Sequence, residues 1–224
     1  MSGARFGVVL LDLDGTLLDT RADLVASTNH VRASFDLPPL DAREVERLVG
    51  HGARVLVERA LGVERAEIHD EGVRRFLDHY ERHCLDHTRP YPGMAELLDS
   101  LSAEGVRFAV LTNKPQWLSR KILGGLNLLD AFVVVVGGDS FPERKPHPRG
   151  VRHVLERCAA QARAALMVGD SAVDVETARA ADIAMCGVSW GFDPESLRAT
   201  GVELIAADAA ELRRIIWRGA PSRC

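Results

Sequence analysis

The sequence predicts an α/β fold: a Rossmann-like, doubly wound parallel sheet with an all-helical insertion after its first strand. Three observations carry this. Short β-branched runs recur between helical stretches, and most are apolar throughout, as strands buried on both faces are. One interval, from about Asp19 to Arg89, holds several amphipathic helical patterns and no convincing strand. The apolar runs also end on small, hydroxyl or charged residues, at the edge where open parallel sheets bind ligands.

Taken in order, Val8–Leu11 reads as the first strand. Helical patterns follow over Arg21–Phe35, Asp41–Leu48, Ala53–Leu61 and Ala66–Leu85, and "RPYPG" (Arg89–Gly93) then punctuates the return to alternation. A helix over Met94–Ala103, stopped by Gly105, leads to a strand at Arg107–Leu111. Trp117–Leu123, stopped by Gly124–Gly125, leads to Phe132–Val136, and Arg149–Ala160 leads to Ala165–Val168. Ala172–Ala181, the strand Ile183–Val188 and a helix over Ala209–Arg218 complete the set. The expected organisation is a core of residues 1–18 and 89–224 with a helical insertion over 19–88.

The 224 residues, 46% hydrophobic and 27% charged, suit one domain with a sizeable insertion. No apolar run approaches the roughly 20 residues of a membrane span, and the N-terminus lacks the pattern of a secretory signal. Cys84, Cys158, Cys186 and Cys224 are scattered and form no C-x-x-C pair, which fits a reducing cytoplasm better than a disulfide scaffold or structural zinc. A net charge of −4 without a basic stripe argues against nucleic acid as partner. No heptad or long apolar stripe specifies an oligomer, so a monomer and a homodimer both fit.

The chemistry gathers at the strand ends. Asp12, Asp14, Gly15 and Thr16 follow the first strand, and Thr112, Asn113 and Lys114 the second. Gly137, Gly138 and Asp139 follow the third, with Lys145 a few residues on; Gly169, Asp170 and Ser171 follow the fourth, with Asp174 four residues beyond Asp170. Asp12 and Asp14 repel one another at a buried edge, so either the turn is exposed or something positive belongs between them. Alone, D-x-D-G-T reads equally well as a solvated turn; Lys145 alone reads as a surface lysine, and Asp174 as a first-turn acid favouring the helix dipole.

Together and in this order, "DLDGTLLDT", "LTNKP", "RKPHP" and "VGDSAVDVETARAA" resemble the four signature motifs of the haloacid dehalogenase-like hydrolase superfamily, over essentially the whole chain. "VGHGARVLVERALG" (Val49–Gly62) and "GGDS…KPHP" (Gly137–Pro148) are similar to segments of its phosphoglycolate phosphatase-like subfamily. Leu11 stands where a phenylalanine often precedes the nucleophile, a change of packing rather than chemistry.

The resemblance implies an aspartyl-phosphate mechanism, which splits hydrolysis into two easier displacements. Asp12 would be the nucleophile, and Asp14 would protonate the leaving oxygen and later deprotonate water. A magnesium ion would resolve the repulsion, held by the Asp12 side chain, the Asp14 backbone carbonyl and the Asp170 side chain. Asp174 would either orient Lys145 or hold metal-bound water. Thr112, Asn113 and the amides opening the helix at Pro115 would receive the phosphoryl oxygens, with Lys145 neutralising them and Asp12. Thr16 would brace Asp14 or its loop, and Gly15 would let backbone approach closely. The insertion would act as a mobile cap, its loop Gly50, His51, Gly52 meeting the far end of the substrate and Arg54 pairing with a carboxylate there. Arg54 reads equally well as an exposed helix arginine.

The function implied is a magnesium-dependent phosphatase acting on a small phosphate ester, 2-phosphoglycolate first. N-acetylmuramate 6-phosphate, a sugar phosphate, or transfer to an acceptor hydroxyl as in a phosphomutase are the alternatives, and a non-catalytic phosphometabolite-binding domain ranks last. His79, His83 and His87, at four-residue spacing in the insertion, read as a solvated helix face. Trp117, Trp190 and Trp217 read as packing residues, with Trp190-Gly191-Phe192 also placed to border the site.

Overall fold

Strand β1 (Val8–Leu11) is buried at every residue, because two cores claim its alternate side chains. Val8 and Leu10 pack with Val151, Val154 and Ala178, whereas Val9 and Leu11 join a larger cluster with Leu97, Leu98, Leu118 and Ile122. Successive side chains on a strand point to opposite faces, so a strand covered on both sides is apolar throughout. Each such side chain contributes roughly 1.5–3 kcal/mol by burial. A polar residue within β1 would forfeit that, and the first carboxylate comes one residue after its end.

The computed structural model describes residues 4–218; the expectation for Cys224 therefore lies outside the described residues. After β1 come β2 (Leu18–Asp19) and four helices, α1 (Arg21–Ala33), α2 (Ala42–Glu46), α3 (Ala53–Leu61) and α4 (Ala66–His83). The chain returns through β3 (Arg89–Pro90) and alternates as α5 (Met94–Ala103), β4 (Arg107–Leu111), α6 (Gln116–Gly125), β5 (Phe132–Val136), α7 (Arg149–Arg157) and β6 (Ala165–Gly169). It ends with α8 (Ala172–Ala180), β7 (Ala184–Val188), α9 (Pro194–Ala199), β8 (Ile205–Ala206) and α10 (Ala209–Arg218). The main sheet has six parallel strands in the order β5-β4-β1-β6-β7-β8. This is the expected α/β class with a helical insertion.

The insertion leaves and rejoins through a two-stranded antiparallel ribbon, Leu18 opposite Pro90 and Asp19 opposite Arg89. Asp23 of α1, fully buried, accepts hydrogen bonds from the backbone N–H groups of His87 and Thr88 and from the Thr88 hydroxyl, the last at 2.7 Å. The outgoing helix is thereby tied to the returning chain.

Several expectations are corrected. Gly124–Gly125 do not stop α6, which runs through both; a Cβ on Gly125 would lie 2.4 Å from Leu85, so the glycine serves close packing. Strands β2, β3 and β8 have two residues each, too few to show a period, and α9 is six residues long. Trp117 is 43% exposed and packs less than expected. Among the described residues, no helix is long and apolar enough to cross a membrane, and the cysteines Cys84, Cys158 and Cys186 are buried and unpaired.

Candidate active site

The sheet order assembles the site. β1 lies between β4 and β6, with Leu11 in register with Val110 on one side and Val168 on the other. Asp12, Thr112 and Asp170, the residues that follow these three strands, therefore emerge side by side. All three are at least nine-tenths buried.

Asp12 Oδ1 accepts the Leu13 backbone N–H at 2.7 Å and faces Lys145 Nζ at 3.0 Å. Burial chiefly, with Asp174 and Asp14 adding, pushes the Asp12 carboxyl up to about 6, against the pull of Lys145 and the Leu13 amide. Lys145 reaches Asp174 Oδ1 at 2.6 Å as well. Burial works against its charge, but Asp12 and Asp174 prevail and hold the ammonium above the ordinary lysine range. Asp174 is also anchored at the start of α8, where its Oδ2 accepts from the Ser171 hydroxyl at 2.7 Å and the Ser171 N–H at 3.2 Å. This reciprocal cap fixes the helix that carries it. The first-turn reading of Asp174 and its contact with Lys145 are thus both present in one side chain.

Asp170 Oδ1 accepts from the Thr16 hydroxyl at 3.1 Å, and its Oδ2 from the Phe192 N–H at 2.9 Å. Burial first, then Asp174 and Asp12, push its carboxyl up to about 8. Gly15 lies against it with φ +76°, and a Cβ there would come within 2.3 Å of Asp170 Oδ2. Only glycine meets both demands. Asp12, Asp170 and Asp174 each offer an oxygen within 4.8 Å of the others, all buried, and could hold a metal ion. Three carboxylates, of which only Asp12 and Asp174 meet a lysine, are an all-oxygen donor set short of positive charge, which fits a hard divalent cation.

Asp14 belongs to a different arrangement. Its two oxygens face Lys114 Nζ at 2.8 and 2.9 Å, and Oδ1 also accepts from the Thr20 hydroxyl at 2.7 Å. Thr16, expected to brace Asp14 or its loop, gives its hydroxyl to Asp170, and Thr20 is the brace on Asp14. The Lys114 ammonium sits 4.5 Å from the centre of the Tyr80 ring, which α4 of the insertion supplies.

The expected phosphate donors are differently engaged. Asn113 Nδ2 donates to the Gly50 carbonyl at 2.9 Å and to the Lys145 carbonyl at 3.1 Å, and Oδ1 is buried without a partner. The Gln116 N–H, at the start of α6, donates to Asp139 at 2.6 Å. Thr112 Oγ1 accepts the Lys114 N–H at 3.2 Å, which leaves its own proton free to donate.

A cavity opens over these groups, with roughly 60 Å³ of room for the centres of water-sized atoms. Asp12, Asp14, Thr112, Asn113, Lys114 and Asp170 line its sheet side; Val49, Gly50, Gly52, Leu56, Phe76 and Tyr80 line the side supplied by the insertion. Gly50 and Gly52 adopt φ of +111° and +90°, and this bend brings the loop against Asn113. His51 does not line this cavity; its carbonyl accepts from Arg144 on the outer side, and burial with Arg59 and Arg144 nearby lowers its imidazole pKa. Arg54 does not line it either. Half-exposed, it pairs with Glu58 at 3.4 Å and Asp70 at 2.9 Å along α3 and α4, because the helix turns it outward. Phe192 lines the cavity, as the placing of Trp190-Gly191-Phe192 at its border anticipates. Of the residues given no role from the sequence, Lys114 was visible at a strand end and Thr20 closes the first motif, while Tyr80 had no motif to mark it. His79 stacks between His30 and His83, and His87 lies apart with its N–H on Asp23.

Residues 9–188 match the family model for haloacid dehalogenase-like hydrolases. The chain is 41% identical over 221 residues to a phosphoglycolate phosphatase of Rhodospirillum rubrum, covering 95% of this chain and 91% of that protein. It is 37% identical to one from Chromobacterium violaceum, over 94% of this chain and 96% of that one. Among solved structures, a predicted phosphoglycolate phosphatase from Haemophilus somnus is similar with a TM-score of 0.88 and 30% identity, over 94% of this chain and 98% of that one.

Proposed function

We infer that this chain, which belongs to the haloacid dehalogenase-like hydrolase family, is a magnesium-dependent phosphomonoesterase whose substrate is a small phosphate ester, 2-phosphoglycolate first. The observation that carries this reading is the meeting of Asp12 with Lys145 and the Asp170–Asp174 carboxylates beneath a small cavity that Asp14 also lines. The names of the relatives and the size of the cavity support the substrate.

In this reading an Asp12 carboxylate oxygen forms the new bond to phosphorus as the ester P–O bond breaks. Asp14 gives the departing oxygen its proton, so glycolate leaves as the alcohol and Asp12 carries an acyl phosphate. Water then attacks the same phosphorus, Asp14 takes up its proton, and the Asp12–phosphorus bond breaks to release phosphate. Lys145 balances charge on Asp12 and on the phosphoryl oxygens, and Asp174 holds that ammonium in place. Thr112 offers its free hydroxyl proton to a phosphoryl oxygen. Magnesium, held by Asp12 and Asp170 with the Asp14 carbonyl, would supply electrostatic stabilisation of the transferring group. Residues 19–88 act as the cover that keeps bulk water out during attack.

Phosphate release from a panel of 2-phosphoglycolate, N-acetylmuramate 6-phosphate, sugar phosphates and p-nitrophenyl phosphate tests the reading. The expected result is a magnesium-dependent preference for 2-phosphoglycolate without an acceptor, silenced by EDTA and reduced at least about 10³-fold by Asp12→Asn. Turnover that survives either change refutes the mechanism, and preference for another ester refutes the substrate.

A further inference from the structure

We propose that Lys114 and the Tyr80 hydroxyl form the subsite that recognises the carboxylate of the substrate, one residue from the sheet edge and one from the insertion. The proposal rests on the reading of the preceding subsection and names the residues that would select its substrate class.

Charge sets the first constraint. The cavity lining contains Asp12, Asp14, Glu46, Asp170 and Asp193, and among the lining residues Lys114 is the sole cation. A substrate with a second anionic group enters this surface only if that group meets positive charge. Arg54 is turned away toward Glu58 and Asp70, and Lys145 is committed to Asp12 and Asp174. Lys114 has a side chain only 5% exposed, yet it lines the cavity.

Position agrees with charge. If Asp14 protonates the ester oxygen, a carboxylate one carbon beyond that oxygen lies beside Asp14. Lys114 Nζ is in contact with both Asp14 oxygens. An ammonium has three N–H donors, so it can bind a second acceptor while keeping Asp14. Thr20 holds Asp14 from another direction, so Asp14 keeps a partner if Lys114 turns toward ligand.

Tyr80 supplies an independent observation. Its hydroxyl is buried without a hydrogen-bond partner, although the residue lines the cavity, and an orphaned hydroxyl is costly in a folded protein. Burial raises the phenol well above its ordinary value, so it remains a donor. Its ring carries the Lys114 ammonium on its face, which brings the two lining residues together. Two donors, one charged and one neutral, suit the two oxygens of a carboxylate.

The test compares 2-phosphoglycolate with its carboxyl methyl ester, which keeps the phosphate and the leaving oxygen but removes the second charge. Wild type is expected to favour the acid in kcat/KM. Lys114→Met slows both through Asp14, but lowers the acid-to-ester ratio by a further 10- to 100-fold or so; Lys114→Arg retains most of the ratio. Tyr80→Phe, which removes only the orphaned hydroxyl and so keeps the fold, lowers the ratio about tenfold, chiefly through KM for the acid. Equal losses on both esters in Lys114→Met, or a ratio within about twofold of wild type in Tyr80→Phe, overturn the subsite. A wild type active on 2-phosphoglycolate but indifferent to methylation overturns the subsite alone. Inactivity on 2-phosphoglycolate with turnover of other esters overturns the substrate reading and the subsite together.

Discussion

Replacing Lys145 with methionine keeps most of the side chain's length and removes its charge. The ammonium lies 3.0 Å from Asp12 and 2.6 Å from Asp174, and the three side chains are 2%, 9% and 0% exposed. Removing one partner from a buried ion pair costs about 3–5 kcal/mol, because the remaining charge has no water to turn to. For a chain of this size that corresponds to a fall in Tm of about 6–20 °C. The penalty depends on pH, and its sign follows from Asp12. That carboxyl sits at about 6 in the folded protein against 3.8 for a free one, so the stability gained from its bound proton is complete below 3.8 and lost as pH rises through 6. Without Lys145, a cause that lowers it, the value rises further. At pH 5 the variant therefore holds Asp12 neutral and needs no cation there, whereas at pH 8 it must ionise Asp12 uncompensated or keep a proton against the solvent. Lys145 itself remains charged over this range. Each further tenfold gain in the proton affinity of Asp12 adds about 1.4 kcal/mol to the penalty at the higher pH. Urea unfolding of both proteins in EDTA, at pH 5 and pH 8, measures this directly. A loss under about 1 kcal/mol at pH 8, or one equal at the two pH values, would refute the picture of a buried lysine neutralising Asp12.

Gly15→Ala forces a side chain into a φ of +76° and against Asp170 Oδ2, so stability should fall by about 1–3 kcal/mol and the magnesium concentration for half-maximal activity should rise, read by thermal melts and a metal titration. Arg54→Ala, which removes only exposed contacts to Glu58 and Asp70, should leave KM for 2-phosphoglycolate and for p-nitrophenyl phosphate equally unaffected; a selective rise for the carboxylate substrate would return Arg54 to the site.

The parallel core was legible because burial on both faces leaves an unmistakable mark: β1, β4 and β6 are apolar at nearly every position, and their ends bear Asp12, Thr112 and Asp170. The two-residue strands were not, since a period needs several turns of the pattern to appear. Within the site, the residues on one strand end were readable and the pairings between them were not. Lys114 and Lys145 look alike as lysines after strands, yet one meets Asp14 and the other Asp12 and Asp174, a choice made by sheet order and loop path. Arg54 misleads for a related reason. Its position two residues after Gly52 suggests proximity to ligand, but one residue along a helix rotates a side chain by about 100°, and the neighbours that face the cavity are Ala53 and Leu56. Tyr80, contributed from the far end of the insertion, is reached only through tertiary packing.

Asn113 joins two carbonyls that belong to distant parts of the chain, Gly50 in the insertion and Lys145 in the loop that follows β5. A single amide group thereby reports on both. If the Gly50 loop lifts away, a buried N–H is stranded beside the very backbone that carries the lysine, and it must find another acceptor. The oxygens of an arriving phosphoryl group are of the right kind. Admission of a ligand and the lifting of the insertion loop then turn on one hydrogen of this amide, while its other hydrogen keeps hold of the lysine loop.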